Sequence, residues 1–378
     1  MNPDSAADWR IGVLFSRTGV TSVTESEHFF GTALAIDEVN DLGGVLGRKL
    51  VPIAYDPGGS PDEYRRLATK MLLEDEINVI FGCSRSSSRK AVLPIIERTN
   101  GLLWYCSIYE GFEYSQNVIY TGAVPNQNSI QLAAYLLQNR GSRFFLIGAD
   151  YLYPRESNRI MRDMVESHDG EILDEIYLSV DAGSQELEAV VDAIAKVKPD
   201  VVFSTLVGHG AREFYRLYRE RGIDPQQIPI ASLTMAEEEI RQIGPSLCEG
   251  HITSATYFGS LDNQSNRRLM DLWSKRYGSK PTSMWSEMAY NQVHLFARAL
   301  ERSGSMDTQK LVQAVHKVNF ESPEGVLTVD EETNHCALTP RIGVCQQDGQ
   351  FKVVWEGSSP LKADPYLTTY GFAEFWLR

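Results

Sequence analysis

The feature that most constrains this chain is an alternation of short apolar runs with amphipathic stretches, repeated along most of its length. "RIGVLFS" (Arg10–Ser16) reads as a strand, and "HFFGTALAIDEVN" (His28–Asn40) reads as a helix with apolar residues at helical spacing. The glycines of "DLGG" (Asp41–Gly44) stop that helix. "KLVPIAYD" is a second strand, and Ser60 and Pro61 supply a cap and a first helical residue for the next helix. "INVIFG", "GLLWY" and "NVIYTGA" continue the strand series, with a helix at "SSRKAVLPIIERTN" that contains Pro94. From Asn126 a second series follows the same rule, with strands at "RFFLIGAD", "EILDEIYL", "DVVFSTL" and "QIPIASL" and helices between them. Strands this apolar are buried on both faces, which implies parallel sheets covered by helices.

After "HITSATYF" (His251–Phe258) the pattern changes to three helical stretches and then short strands at "GVLTVD", "RIGVCQ" and "FKVVWE". The order suits an α/β chain of two doubly wound parallel-sheet lobes, with the chain returning to the first lobe after building the second. The predicted division is residues 8–121 plus 256–322 for one lobe and 122–255 plus 323–378 for the other. A chain of 378 residues exceeds one ordinary core and agrees with two lobes. Ligands bind open α/β sheets at the carboxyl ends of the strands, so the expected site is the cleft between lobes.

Function classes are narrowed by what is missing. A formal charge of −14 argues against a nucleic-acid surface. No phosphate loop or nucleophile elbow is present, and the cysteines and histidines are scattered rather than set at metal spacing. The expectation is therefore no metal and no cofactor. The five cysteines suggest reduced thiols. The N-terminus shows no basic start followed by a long apolar core, and no stretch approaches the ~20 residues of a membrane span. These points predict a cytoplasmic protein, the alternative being a periplasmic one whose leader has been removed.

Three turns carry candidate chemistry. "GCSRSSSRKAVLP" (Gly82–Pro94) places Ser84, Ser86, Ser87 and Ser88 where a strand meets a helix. Their hydroxyls and the helix's unpaired N–H groups suit a carbonyl or carboxylate. The plainer expectation is that one serine caps the helix. "GADYLYPRESN" is the matching turn of the second lobe, where Tyr151 or Tyr153 can cover a ligand and Arg155 can reach Glu110 or Glu113. In "CSIYEGFEYS" (Cys106–Ser115), Glu110 and Glu113 are too close in sequence to flank a bond as an acid/base pair, so a structural role is expected. His209, between two glycines after a strand, faces either the cleft or solvent.

"FSRTGVTSVTESEHFFGTALAIDEVNDLGGVLGRKL", "YEGFEYSQNVIYTGAVPNQN" and "DYLYPRESN" resemble the type I periplasmic-binding fold. More narrowly they resemble its amide- and urea-binding branch, which includes an amide sensor that negatively regulates an amidase operon and the substrate-binding proteins of urea and short-chain amide ABC transporters. The resemblance runs from Arg10 to about Tyr366 and includes "DPYLTTYG". It implies a ligand site at Ser86, Tyr105, Ser107 and Tyr151, with Val207 and Thr234 at the second lobe's strand ends. Ser84 stands where those relatives carry a large ring, while Cys106 and Ile108 replace prolines or small residues. A smaller Ser84 implies a ligand bulkier or more polar than acetamide that still carries an amide, urea or guanidine-like group.

The resulting expectation is a binding protein and not an enzyme. The leading reading is a cytoplasmic sensor that closes on its ligand and controls an RNA-binding antitermination regulator, with self-association as a further option. The alternative is the substrate-binding protein of a urea or short-chain amide transporter. A hydrolase using Glu110 or Glu113 is the third reading, and it lacks an activated nucleophile.

Overall fold

The computed structural model describes residues 7–19 and 21–368. Residues 369–378, which the sequence reading assigned to the second lobe, lie outside them, as does the end of "DPYLTTYG".

The first sheet holds β1 (Trp9–Leu14), β2 (Leu50–Tyr55), β3 (Val79–Gly82), β4 (Leu102–Tyr105) and β5 (Val118–Tyr120). All are parallel, in the order β2-β1-β3-β4-β5. Helices α1 (Ser22–Asp41), α2 (Pro61–Leu73) and α3 (Ser86–Arg98) connect them. Ser60 caps α2 by accepting the Glu63 N–H at 3.4 Å, with Pro61 as the first helical residue, as the sequence pattern predicts. Strands β3, β4 and β5 are buried throughout, which explains their uninterrupted apolar character.

The second sheet is built from β6 (Arg143–Ala149), β7 (Glu171–Leu178), β8 (Val201–Ser204), β9 (Ile230–Ser232) and β10 (Ile252–Ala255). Helices α4 (Ser129–Asn139), α5 (Leu152–Glu166), α6 (Ser184–Val197), α7 (Gly208–Glu220), α8 (Glu237–Ile243) and α9 (Pro245–Cys248) alternate with these strands. The later segments are α10 (Gln264–Tyr277), α11 (Met284–Ser303), α12 (Thr308–Val315), β11 (Asn319–Ser322), β12 (Gly325–Val329), β13 (Cys336–Ala337), β14 (Arg341–Cys345) and β15 (Phe351–Glu356). Strands β14 and β15 extend the second sheet, giving the order β15-β14-β10-β9-β8-β6-β7.

Two details differ from the expected pair of parallel sheets. The added strands β14 and β15 are antiparallel, so the second sheet is mixed at that edge. Strands β11, β12 and β13 form a separate antiparallel sheet. The boundary expected between residues 322 and 323 falls inside the β11–β12 hairpin. Helix α11 returns to the first sheet's helices and lies along α1. The two come so close that a Cβ on Gly31 would sit on the Ser286 carbonyl oxygen, 2.8 Å from its carbonyl carbon.

Candidate functional site

The carboxyl ends of both sets of parallel strands open onto one cavity of about 270 Å³. From the first sheet come Ser84 and Ser86 after β3, and Ser107 and Ile108 after β4. From the second come Tyr151 after β6, Val207 after β8 and Thr234 after β9. The chain reverses sharply at these points. Cys83 takes a left-handed φ of 68°, unusual for a residue with a side chain. Gly208 does the same at the start of α7 with a φ of 60°.

The serine cluster divides its tasks. None of its side chains caps α3. Arg85 stands at the cap position but its side chain donates to the Gly59 carbonyl at 2.5 Å instead of capping the helix, and the Ser88 hydroxyl donates to the Arg85 carbonyl at 2.7 Å. The Ser88 N–H is taken by the Arg85 carbonyl at 3.0 Å, which leaves the N–H groups of Ser86 and Ser87 uncapped at the start of α3, with Ser86 at the cavity. The hydroxyls of Ser84 and Ser107 lie 3.3 Å apart. The Ser86 hydroxyl donates to the Glu110 carboxylate.

Tyr105 does not line the cavity, in contrast to the role that the resemblance implies. Its ring packs in the core beside Val92 and Ile96 of α3, and its hydroxyl donates to the Ser84 carbonyl at 2.5 Å. It therefore holds the turn that presents Ser84. Arg155 also differs from expectation. It pairs with Asp150 at 2.6 Å and covers the Tyr177 ring, and so is engaged on its own lobe rather than with Glu110 or Glu113.

Glu110 and Glu113 converge on Arg89, which is fully buried. Its guanidinium is 2.5 Å from Glu113 and 3.7 Å from Glu110, and it lies over the rings of Tyr105 and Tyr109. Lys90 adds a second contact to Glu113 at 3.0 Å. Burial opposes ionisation of Glu113, but the charges and hydrogen bonds of Arg89 and Lys90 outweigh it and hold its carboxyl below the usual range. The carboxylates thus form a scaffold under the serine turn, as their spacing suggested.

Apart from His209, whose sequence position left cleft and solvent both open, the rest of the wall described next was not picked out from sequence. Thr21, Ser22, Val23 and Thr24 come from the start of α1, Glu239 from α8 and Trp285 from α11, while His209 and Arg212 line it from α7. Trp285 Nε1 donates to Glu239 Oε1 at 3.1 Å, and the Thr24 hydroxyl donates to the same oxygen at 3.3 Å. These bonds join the first sheet's helices to the second sheet's. Burial pushes the Glu239 carboxyl up to about 8, and the charges of Glu27 and Glu238 reinforce the shift. Next to Trp285, burial alone drives the His28 imidazole down to about 3, so this ring is neutral. The acidic run "AEEEI" was the available signal for Glu239, but such runs usually mark a solvated face. Here Glu237 and Glu238 are buried and Glu239 is half-buried.

Among the described residues, no group of three or more His, Cys, Asp or Glu is placed to hold a metal ion. No helix among them is long and apolar enough to cross a membrane.

The family described as "Periplasmic binding protein domain" matches residues 9–371. A leucine-, isoleucine-, valine-, threonine- and alanine-binding protein of Pseudomonas aeruginosa is 22% identical over 307 residues, covering 80% of this chain and 80% of its own. A 128-residue stretch is 34% identical to part of a limonene hydroxylase of Geobacillus stearothermophilus, covering 33% of this chain and only 23% of that protein. A solute-binding protein of an ABC transporter from Rhodopseudomonas palustris, solved with 3,4-dihydroxybenzoic acid, superposes with a TM-score of 0.85 at 20% identity, over 94% of this chain and 98% of its own. The branched-chain amino acid transporter substrate-binding protein of Streptococcus pneumoniae, solved with isoleucine, gives 0.82 at 18% identity, over 93% and 99% of the two chains. Two strand-end clusters facing one cavity, and a family match along nearly the whole length, lead to one conclusion: this chain belongs to the periplasmic binding protein family.

Proposed function

We propose that this protein is the substrate-binding protein of an ABC transporter and that its ligand is a small amide-like molecule: a carboxamide, urea or guanidine-type compound larger than acetamide. The transport role is supported by the neighbours that superpose over more than nine-tenths of the chain, which are binding proteins of transporters. A membrane permease is accordingly proposed as the partner in place of an RNA-binding antitermination regulator, with the protein acting outside the cytoplasm.

The observation that carries the ligand class is the polarity of the cavity. Uncapped N–H groups of α3 and the Ser84–Ser107 hydroxyl pair offer donors on one side. On the other side Glu239, whose carboxyl is raised to about 8, presents a carbonyl acceptor and, when protonated, one O–H donor. A molecule bearing a carbonyl and N–H groups satisfies both, and one lacking either leaves a buried group unpaired. Tyr151 and Val207 supply the apolar surface between, with Thr234 adding a hydroxyl. A volume of about 270 Å³ leaves room for several heavy atoms beyond those of a bound water. Ligand favours closure by the difference in its affinity for the open and closed forms.

The test is a thermal-shift screen over amides, ureas, guanidines, branched-chain amino acids and hydroxybenzoates. A ligand present at 100 times its Kd stabilises by about 2.7 kcal/mol, enough to read as a raised Tm. Stabilisation by amide, urea or guanidine compounds is the expected outcome. Stabilisation confined to amino acids or benzoates overturns the ligand class while leaving the binding role intact.

A further inference from the structure

We propose that Glu110, which lies behind the cavity, is a positioning residue that sets the hydrogen-bond polarity of Ser86 and so decides between an amide and a carboxylate. The inference rests on the amide reading and adds the residue that enforces it.

A serine hydroxyl has one proton and two lone pairs. The Ser86 proton is spent on Glu110, because a carboxylate only accepts. Glu110 is 4% exposed, and the Arg89 guanidinium lies 3.7 Å from its other oxygen. Arg89 is itself 0% exposed and is fixed by Glu113 and two tyrosine rings. The Glu110 carboxylate is thus compensated in charge and fixed in place, and Ser86 has no freedom to turn its proton into the cavity. Toward a ligand, Ser86 presents lone pairs alone.

The neighbouring pair behaves differently. Between Ser84 and Ser107, 3.3 Å apart, one hydroxyl donates to the other and one proton stays free. The first-lobe floor therefore sets an acceptor beside a donor. A carboxamide carries N–H and C=O on one carbon and satisfies both. A carboxylate carries two acceptors: the free hydroxyl proton and the α3 N–H groups can serve one oxygen, but an oxygen placed on Ser86 Oγ meets lone pairs and loses its hydrogen bond. The discrimination originates in Glu110, which need not touch the ligand.

The experiment is calorimetry on wild-type, E110Q and S86A proteins with three isosteric pairs: acetamide and acetate, isobutyramide and isobutyrate, benzamide and benzoate. Wild type should prefer the amide of a binding pair by about tenfold or more, the scale of one unmade buried hydrogen bond. In E110Q the amide nitrogen can donate to Ser86, which frees the serine proton for the cavity. The amide-to-carboxylate ratio should then fall about tenfold or invert, an effect that general loosening of the fold would not produce. S86A removes the acceptor and should lower the ratio even if E110Q does not fold. An unchanged ratio in folded E110Q, or in S86A if E110Q does not fold, overturns the role of Glu110 while the amide reading stands. Wild type that prefers the carboxylates, or binds no member of any pair, overturns the amide reading and the acceptor role together.

Discussion

Replacing Gly31 with alanine tests the helix contact that places two cavity walls. Gly31 lies inside α1, where alanine ordinarily stabilises a helix by about 1 kcal/mol. Here the new Cβ would fall on the Ser286 carbonyl oxygen, 2.8 Å from its carbon and 3.0 Å from its Cα. Ordinary carbon contacts begin near ~3.5 Å, and the opposing atoms are backbone, so no rotamer change relieves the clash. Helices α1 and α11 must separate, which opens the packing along both. Overpacking of this kind costs about 1–3 kcal/mol or more in a dense core, so the steric term outweighs the propensity gain. The expected result is a Tm lower by about 1–4 °C in calorimetric scans. Ligand affinity should fall too, because Ser286 adjoins Trp285 and α1 carries Thr24, and both residues line the cavity. Gly210 in α7 is the control, since a Cβ there meets nothing within 4 Å and G210A should be neutral or slightly stabilising. A G31A protein with unchanged or higher Tm would refute the argument that backbone contact, and not propensity, decides the sign.

Other substitutions separate positioning from contact. Y105F removes the hydroxyl that donates to Ser84 O and leaves a buried carbonyl short of a partner, so unfolding free energy should drop by about 1–3 kcal/mol in urea titrations. R155A breaks a half-exposed pair with Asp150 and uncovers the Tyr177 ring, and should change stability by about 1 kcal/mol or less in the same titrations. For Glu239 the sign follows from a carboxyl raised to about 8 in the folded state. The folded protein holds that proton more tightly than the unfolded chain, so this residue's contribution falls as pH rises from ~4.5 through about 8. E239Q should flatten the Tm–pH curve across that window. A shift of this size has a ceiling near ~5 kcal/mol, and contact with the cavity reduces the expected effect to about 1–3 kcal/mol. Parallel curves for the two proteins would show that Glu239 titrates near its ordinary value.

Much of the architecture was legible because it is local. A strand buried on both faces must be apolar throughout, and β3, β4 and β8 announce themselves in that way. The strand-end rule marked the turns that carry Ser84, Ser86 and Tyr151, and the family resemblance added Ser107, Val207 and Thr234; the structure sets all six around one cavity. Tyr105 was misplaced because the direction of a side chain at the last residue of β4 depends on what packs beneath the sheet, and Arg89 and α3 occupy that space. Arg155 was sent toward the other lobe, whereas the folded turn brings it onto Asp150, five residues earlier in its own lobe.

The sequence by itself determined the elements, the parallel pairing of β1 to β10 and the turns that carry the chemistry, because hydrophobic period and turn residues act over a few positions. It also marked Glu110 and Glu113 as unsuited to act as a pair across a bond. Only the tertiary structure decided what those carboxylates do. The contact between Glu110 and Ser86 spans 24 positions, that between Thr24 and Glu239 spans 215, and Trp285 reaches Glu239 from 46 residues away. A hydrogen bond depends on distance and angle in space, and no local pattern encodes which carboxylate a folded chain will bring to which hydroxyl. The direction of one serine proton, on which the proposed choice of ligand turns, is settled at that level.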